Sequence, residues 1–464
     1  MEKPSRTTFR IRLETMVQQL RESIISGDLA PGSYLPSEDL LGERFQLSKK
    51  SVRKGLESLV QEKLIVKKPK IGNMVIDPNG TDERITIRFC YYPDADSEMN
   101  IAWLLNAFER KYPHIQVKRM TMHTHLYADQ AMSFMVDGML DVVMLNYYDF
   151  SYFNSAAGSN MLAEQEADPA IYAFLNRAFT VDGKSYVKPF AFSPLILAYN
   201  RDHFRDIGLP EPDSSWTWRE FAHAATRLSD CRESARRYGF FFHLLSHNRW
   251  PLWLLQHGFS LGLNEEGRYD LNDEAFVASM QMLRELFSQE NTVPSFMFDS
   301  AQDPERLFLE ERTSMIITTY FRLNHVKSAS FDYDISPVPY VNVPKTLLLN
   351  VGLGISKHSE HREAAQLLVN YLTSSEAQES LRMHTTSIPS LKEMAEQERS
   401  DKEAEPGRYS MFREIIPSFR YYTDMNVNRH QLRTMTHYLK LYWSNLESSS
   451  NVIANIEEAL NNES

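Results

Sequence analysis

Cysteine is nearly absent. Cys90 and Cys231 are the only two in 464 residues, too few for a disulfide framework, and both are expected to be buried small apolar residues in a reducing compartment. Glycine is scarce as well, 17 residues in all, where an average chain has about 7%. No run of 18 apolar residues occurs, so no membrane-spanning helix is expected. The start, Met1 to Arg6, leads straight into an amphipathic helix without the apolar stretch of a secretory signal, which predicts a cytoplasmic location. A net charge of −11 argues against nucleic-acid binding over the whole surface.

That average hides an asymmetry. Residues 1–76 carry 14 Lys and Arg against 9 Asp and Glu, a charge of +5, leaving 36 against 52, or −16, for residues 77–464. A small basic module is joined to a large acidic one. Within the basic part, Leu47 to Leu59 reads as a helix with two faces. Val52, Leu56 and Leu59 make one apolar stripe, and Ser48 is a good N-cap. Lysines follow at once, although cations are disfavoured at the positive end of a helix dipole. The economical reason for breaking that rule is that Lys49, Lys50, Arg53 and Lys54 face a polyanion, as a recognition helix does in a DNA groove. A merely solvated basic face is the bland alternative.

The surroundings decide between them. Leu13, Val17, Leu20 and Ile24 keep helical spacing, and Gly27-Asp28 with Pro31-Gly32 turn the chain. A second helix opens at Pro36-Ser37-Glu38-Asp39 with Ser37 as cap. After the basic helix, Leu64-Ile65-Val66 and Asn73-Met74-Val75-Ile76 flank a basic turn from Lys67 to Gly72, which predicts a two-stranded wing. With Gly27-Asp28-Leu29, Pro31-Gly32, Leu35-Pro36-Ser37-Glu38, Leu47-Ser48 and Val52-Arg53 in order, residues 9–76 resemble the GntR-type winged helix–turn–helix domain. The resemblance implies DNA contacts from Ser37, Ser48, Lys49, Lys50, Ser51, Arg53, Lys54, Lys68, Lys70 and Gly72. Three departures stand out: Asp39 where the family often has Arg or Asn, Lys49 where it has Arg, and Lys70 in place of the wing's first glycine. Lysine cannot repeat the bidentate guanine contact of arginine as well, so the operator sequence does not follow by analogy.

Residues 77–84 form a polar, turn-rich linker. Beyond it, strands at Ile85–Phe89, Ile115–Lys118 and Leu140–Leu145 alternate with helices, predicting an α/β domain with a mainly parallel sheet and ligands beyond its carboxyl ends. Phe108-Glu109-Arg110-Lys111-Tyr112-Pro113, Asp141-Val142-Val143, Asp182-Gly183-Lys184, Ala198-Tyr199-Asn200-Arg201-Asp202, Trp216-Thr217-Trp218-Arg219-Glu220-Phe221, Phe308-Leu309-Glu310-Glu311-Arg312 and Tyr371-Leu372-Thr373-Ser374 follow one another in the order found in a known family. On these residues the region 85–464 resembles the solute-binding proteins of sugar-type ABC importers, two-lobed periplasmic-binding folds of type II. The resemblance implies one lobe of about 85–189 and 338–388 and another of about 190–337 and 389–464, with crossings near Val187-Lys188-Pro189 and Ser336-Pro337-Val338. Ser314 to Phe321 departs from the family by lacking a glycine and an indole.

A saccharide between such lobes would stack its C–H face on aromatics and hydrogen-bond carboxylates, amides and arginine. The candidates are Tyr92, Asp94, Asn146, Tyr147, Phe192, Trp250, Trp253, Tyr320 and Arg322; core packing is the alternative for each aromatic. His243 and His247 have the spacing of two metal ligands on a helix, but no third ligand is signalled. His123 and His125 read as a solvated strand edge, and Ser185 with Lys188 as a chance Ser-x-x-Lys. The expectation is a non-enzymatic transcriptional regulator without cofactor or metal. It would be a homodimer that binds double-stranded operator DNA through its head and a small solute, a mono- or oligosaccharide, through its body. The rival is a GntR-headed pyridoxal-phosphate aminotransferase-like protein, for which no Schiff-base lysine is evident. A third reading makes the body a dimerisation element that has lost its ligand.

Overall fold

The computed structural model describes residues 6–68, 71–76, 84–122, 126–156, 161–230, 236–288, 303–399 and 405–462. Lys70, His123, His125, Cys231 and all of the linker except Arg84 lie outside them.

The head contains helices α1 (Arg6–Ile25), α2 (Glu38–Phe45) and α3 (Lys49–Gln61), followed by strands β1 (Ile65–Lys68) and β2 (Gly72–Val75). Ser37 Oγ accepts from Leu40 N and Ser48 Oγ from Ser51 N, so each serine satisfies an otherwise orphaned donor at its helix start. The wing pairs antiparallel from Ile65 opposite Val75 to Lys68 opposite Gly72, whose φ of 140° favours glycine. Val52, Leu56 and Leu59 of α3 share one core with Met16, Leu20 and Ile24 of α1. Gly55 lets the helices meet: a Cβ there would lie 2.6 Å from Met16 Cε and 2.9 Å from Val17 Cγ2. Buried Arg21 and Glu62 add a two-bond ion pair of 2.8 and 2.7 Å between α1 and the end of α3.

In the body, β3 (Ile85–Tyr91) lies between β4 (Ile115–Thr121) and β5 (Val142–Asn146) and is parallel to both. Helices α4 (Ala95–Met99), α5 (Ile101–Lys111), α6 (Tyr127–Val136) and α7 (Tyr147–Ala156) occupy the connections. The sheet is more mixed than the sequence suggests. Its central strand, Val187–Asn200, is antiparallel to Thr346–Ile355, Thr313–Thr319 and Tyr333–Pro337. That strand belongs to both halves of the body. Its residues up to Pro194 pair with Thr346–Ile355, and those from Leu195 pair with Thr313–Thr319, so the first crossing lies at Pro194–Leu195 rather than near Pro189. A second passage runs from Pro337 toward Thr346.

Two lobes result. Ile87, Phe89, Leu104, Phe108, Val142, Leu353 and Leu368 centre a core on the first side. Leu197, Tyr199, Phe221, Phe240, Trp253 and Met315 centre one on the second. In the second lobe Tyr238–Phe241 runs parallel to Thr313–Thr319, so the carboxyl ends of both point the same way, toward the lobe junction.

Candidate functional site

The head presents a cationic face. Lys49, Lys50, Arg53 and Lys54 are exposed on α3 opposite its buried stripe, and Lys68 and Gly72 are exposed on the wing. Ser37 and Ser48 serve as caps, and Ser51 Oγ is 2.7 Å from Ser48 Oγ. Two of the four α3 cations are tethered to α2: Lys49 Nζ lies 2.7 Å from Asp39 Oδ1, and Arg53 Nε donates to Glu38 Oε2 at 2.7 Å. Among the described residues, Lys50 and Lys54 enter no ion pair.

In the body, five of the nine candidate ligand contacts gather at the lobe junction. Asp94 and Glu98 follow β3 on the first lobe, and Arg322 follows Thr313–Thr319 on the second. Arg322 Nη1 is 3.7 Å from Asp94 and 3.6 Å from Glu98, while its Nη2 donates to Glu305 at 3.1 Å. Thr318 Oγ1 donates to the other Glu305 oxygen at 2.6 Å. Burial pushes the Glu98 carboxyl up to about 8 although Arg322 pulls the other way, and burial draws the Arg249 guanidinium down to about 10. This is a mixed-charge cluster shared between lobes.

A second bridge lies beside it. Tyr92 donates its hydroxyl to Asp149 at 2.5 Å and accepts from Asn146 N at 2.9 Å, and Asn146 Oδ1 accepts from Asp149 N at 2.7 Å. Across the junction, Arg429 Nη1 stands 3.7 Å from Asp149, with its guanidinium 5.4 Å from the ring of Tyr148 and 4.5 Å from that of Tyr152. Arg429 is 5% exposed, and its Nε and Nη1 are buried donors that make no hydrogen bond among the described residues, Nη1 meeting Asp149 only at ion-pair distance. Such groups are rare because each forfeits its hydration without return. Tyr147 bonds Thr423 at 3.0 Å and packs on Tyr421, while the ring of Tyr148 stacks on His247 at 4.3 Å. A cavity of about 630 Å³ adjoins, lined by Ser151 and Tyr152 of α7 and by Leu261, Thr423, Asn428 and Arg429 of the other lobe.

The other four candidates lie inside cores and offer no free face to a solute. Phe192 packs among Tyr172, Phe174, Phe412 and Phe419. Trp253 is fully buried between Trp218 and Phe242, and Trp250 donates to Thr436 against Trp443. Tyr320 donates to Tyr409 O at 2.9 Å. The reason is local: Trp250 and Trp253 sit at the start of Pro251–His257, where every residue up to Gln256 is buried. Sequence reasoning missed Glu98, Tyr148, Asp149, Arg249, Glu305 and Arg429. Asp149, three residues beyond Asn146 at a strand end, carried a readable signal; Arg429, remote in sequence, carried none. Among the described residues no cluster of His, Cys, Asp and Glu is placed to hold a metal ion.

Comparison with known proteins fits this geometry. Residues 103–406 match the bacterial extracellular solute-binding protein family. The chain belongs to that family. Residues 13–75 match the gntR family of bacterial regulatory proteins, so a winged head of that type precedes the solute-binding fold. Among solved structures, maltose-bound MalE3 of T. maritima aligns with a TM-score of 0.70 and 19% identity over 81% of this chain and 99% of that one. An ABC substrate-binding protein of Listeria monocytogenes in complex with cycloalternan gives 0.68 and 20% over 82% and 99%. Both show the two-lobed fold of the body. The sn-glycerol-3-phosphate-binding periplasmic protein UgpB of Brucella melitensis is 25% identical over 262 residues, 52% of this chain and 57% of the relative. The chain spans less than two thirds of the length of the curated relatives it matches. Neither matched family is catalytic, and no described helix is long and apolar enough to cross a membrane.

Proposed function

We propose that this protein is a ligand-responsive transcriptional regulator in the cytoplasm, binding operator DNA as a homodimer through α3 and the wing and sensing a saccharide between the lobes of its body. The observation that carries the reading is that both lobes supply the recognising groups. Asp94 and Glu98 face Arg322, and Asp149 faces Arg429, so a solute bridging these groups favours one lobe arrangement over another. Carboxylates, guanidiniums, phenols and an amide beside stacked aromatic rings suit a polyhydroxylated molecule, and the Nε and Nη1 donors of Arg429, which make no hydrogen bond among the described residues, supply sites for its oxygens. The solved neighbours named for maltose and cycloalternan support the same ligand class. Of the residues expected from sequence, Tyr92, Asp94, Asn146, Tyr147 and Arg322 belong to this proposed site; Glu98, Tyr148, Asp149, Arg249 and Arg429 join them.

Switching DNA completely requires the solute to prefer one state by about 5.5 kcal/mol. Titration calorimetry of the full chain with mono- and oligosaccharides and sn-glycerol 3-phosphate, followed by operator-affinity measurements with each binder, tests this. A binder that changes operator affinity supports the reading. If every binder leaves the affinity unchanged, the sensing role is wrong.

A further inference from the structure

Among the described residues five arginines are buried, and four of them have a carboxylate partner: Arg21 with Glu62, Arg322 with Glu305, Arg382 with Glu405 and Arg429 with Asp149, at 2.7–3.7 Å. The fifth, Arg399, has none. It is 7% exposed, and its one hydrogen bond among the described residues runs from Nη1 to Thr385 O at 3.4 Å. Arginine is rarely buried unpaired, because it cannot shed its charge. Arg399 lines a cavity of about 160 Å³ whose walls include none of the cleft residues described above. This cavity lies where the chain passes between the lobes a third time. Helix Ser375–His384, whose Ala377 and Leu381 pack in the first lobe's core, supplies Arg382, which holds Glu405 by two bonds of 2.7 and 3.3 Å. A little further on, Arg408 is tied to the second lobe, its Nη1 donating to Pro212 O at 2.6 Å and its N–H to Asp334 at 2.9 Å.

The carboxylates on the cavity wall do not answer Arg399. Glu405 is taken by Arg382, Glu396 accepts from Tyr172 at 3.0 Å, and Glu398 is exposed. Arg413, also on the wall, is exposed and enters no ion pair among the described residues. Burial and the charge of Arg399 draw the Lys327 ammonium down to about 8, a further sign of positive charge left uncancelled. Gln397 on the same wall has the complementary lack: its Oε1 is buried with no hydrogen bond, while its Nε2 donates to Glu379 at 3.5 Å. Water filling the space hydrogen-bonds a guanidinium but brings no opposing charge. An anion supplies both, and a hydroxyl on it satisfies the amide oxygen. We propose that this cavity is a second effector site, separate from the cleft, that takes a small carboxylate or phosphate carrying a hydroxyl group. An anion held there, beside the passage from one lobe to the other, biases the lobe arrangement if it binds one arrangement better. The inference stands independently of the saccharide reading of the cleft.

The test is titration calorimetry and thermal unfolding of the full chain with D-glycerate and with inorganic phosphate, each against sodium chloride at equal ionic strength. Wild type is expected to bind at least one of the two anions and to unfold at a higher temperature in its presence, with chloride inert. Arg399→Gln should weaken that binding by about 10-fold or more. Its ligand-free midpoint should be unchanged or higher, because the substitution removes an uncompensated buried charge. Arg413→Gln, at an exposed side chain, should fold as wild type and bind the anion more weakly. A wild type that binds neither anion overturns the proposal, as does an Arg399→Gln chain that binds as tightly as wild type. If Arg399→Gln instead fails to fold and Arg413→Gln keeps full affinity, Arg399 is a packing residue and the site is wrong.

Discussion

The two charged regions of this protein use the same side chains under opposite conditions. Between α2 and α3 the Lys49–Asp39 pair is 62% and 66% exposed; in the cleft the Arg322–Glu305 pair is 9% and 3% exposed. Water and salt screen the first, so it holds its partners loosely and releases them to a stronger polyanion. The second cannot be opened without stranding a buried charge. The head is therefore suited to a diffuse, salt-tunable partner, and the cleft to one that meets fixed donors and acceptors at fixed distances. Exposure, rather than composition, separates a surface that searches from a site that recognises.

The contrast can be broken most severely in the head core. Gly55→Leu forces a side chain into the space held by Met16, Val17 and Leu13, beyond the ~1–3 kcal/mol of ordinary overpacking; DNA binding should be abolished while calorimetric solute binding persists. In the cleft, Arg322→Ala strands the Glu305 carboxylate and should lower stability by about 3–5 kcal/mol in urea unfolding, whereas Arg53→Ala, at an exposed pair, should stay within ~0.5 kcal/mol. Equal losses would erase the distinction.

The remaining tests are finer. Glu98 holds its proton to about pH 8 when folded, against an ordinary carboxyl value of 4.5. Between those values the folded chain binds a proton that the unfolded chain has released, so this group's stabilising contribution is complete below about 4.5 and is lost as pH rises through 8. Thermal unfolding of Glu98→Gln across this window should lack that decline. Smallest of all, Lys50→Ala and Lys54→Ala should each reduce the slope of log affinity against log salt by about 1, with no change in unfolding midpoint.

The head was readable because its signals are local. Ser37 and Ser48 announce helix starts, and Val52, Leu56 and Leu59 announce the inner face within three turns of chain. The body's parallel β3, β4 and β5 were readable for the same reason; Tyr92, Asp94, Asn146 and Tyr147 follow strand ends, which is why the sequence offers them as candidates for the proposed site. Trp253 near a helix start and Tyr320 after a strand have similar placements, and Phe192 lies within a strand, but an aromatic facing a cleft and one facing a core look identical in sequence. Arg429 could not be found at all: its carbonyl meets Tyr148 across 281 positions of chain, and only tertiary structure makes that a neighbourhood.

The 14-residue strand Val187–Asn200 makes the two lobes share one hydrogen-bonded ribbon. At the point where the pairing changes hands stands Pro194, which has no N–H to give to the ladder. Pro189 in the same strand lacks one too, but Pro194 stands where the pairing passes from one lobe to the other, so the ladder is interrupted at the crossing itself. Torsion at this crossing changes the separation of groups that face each other across the lobe junction, Asp149 and Arg429 among them.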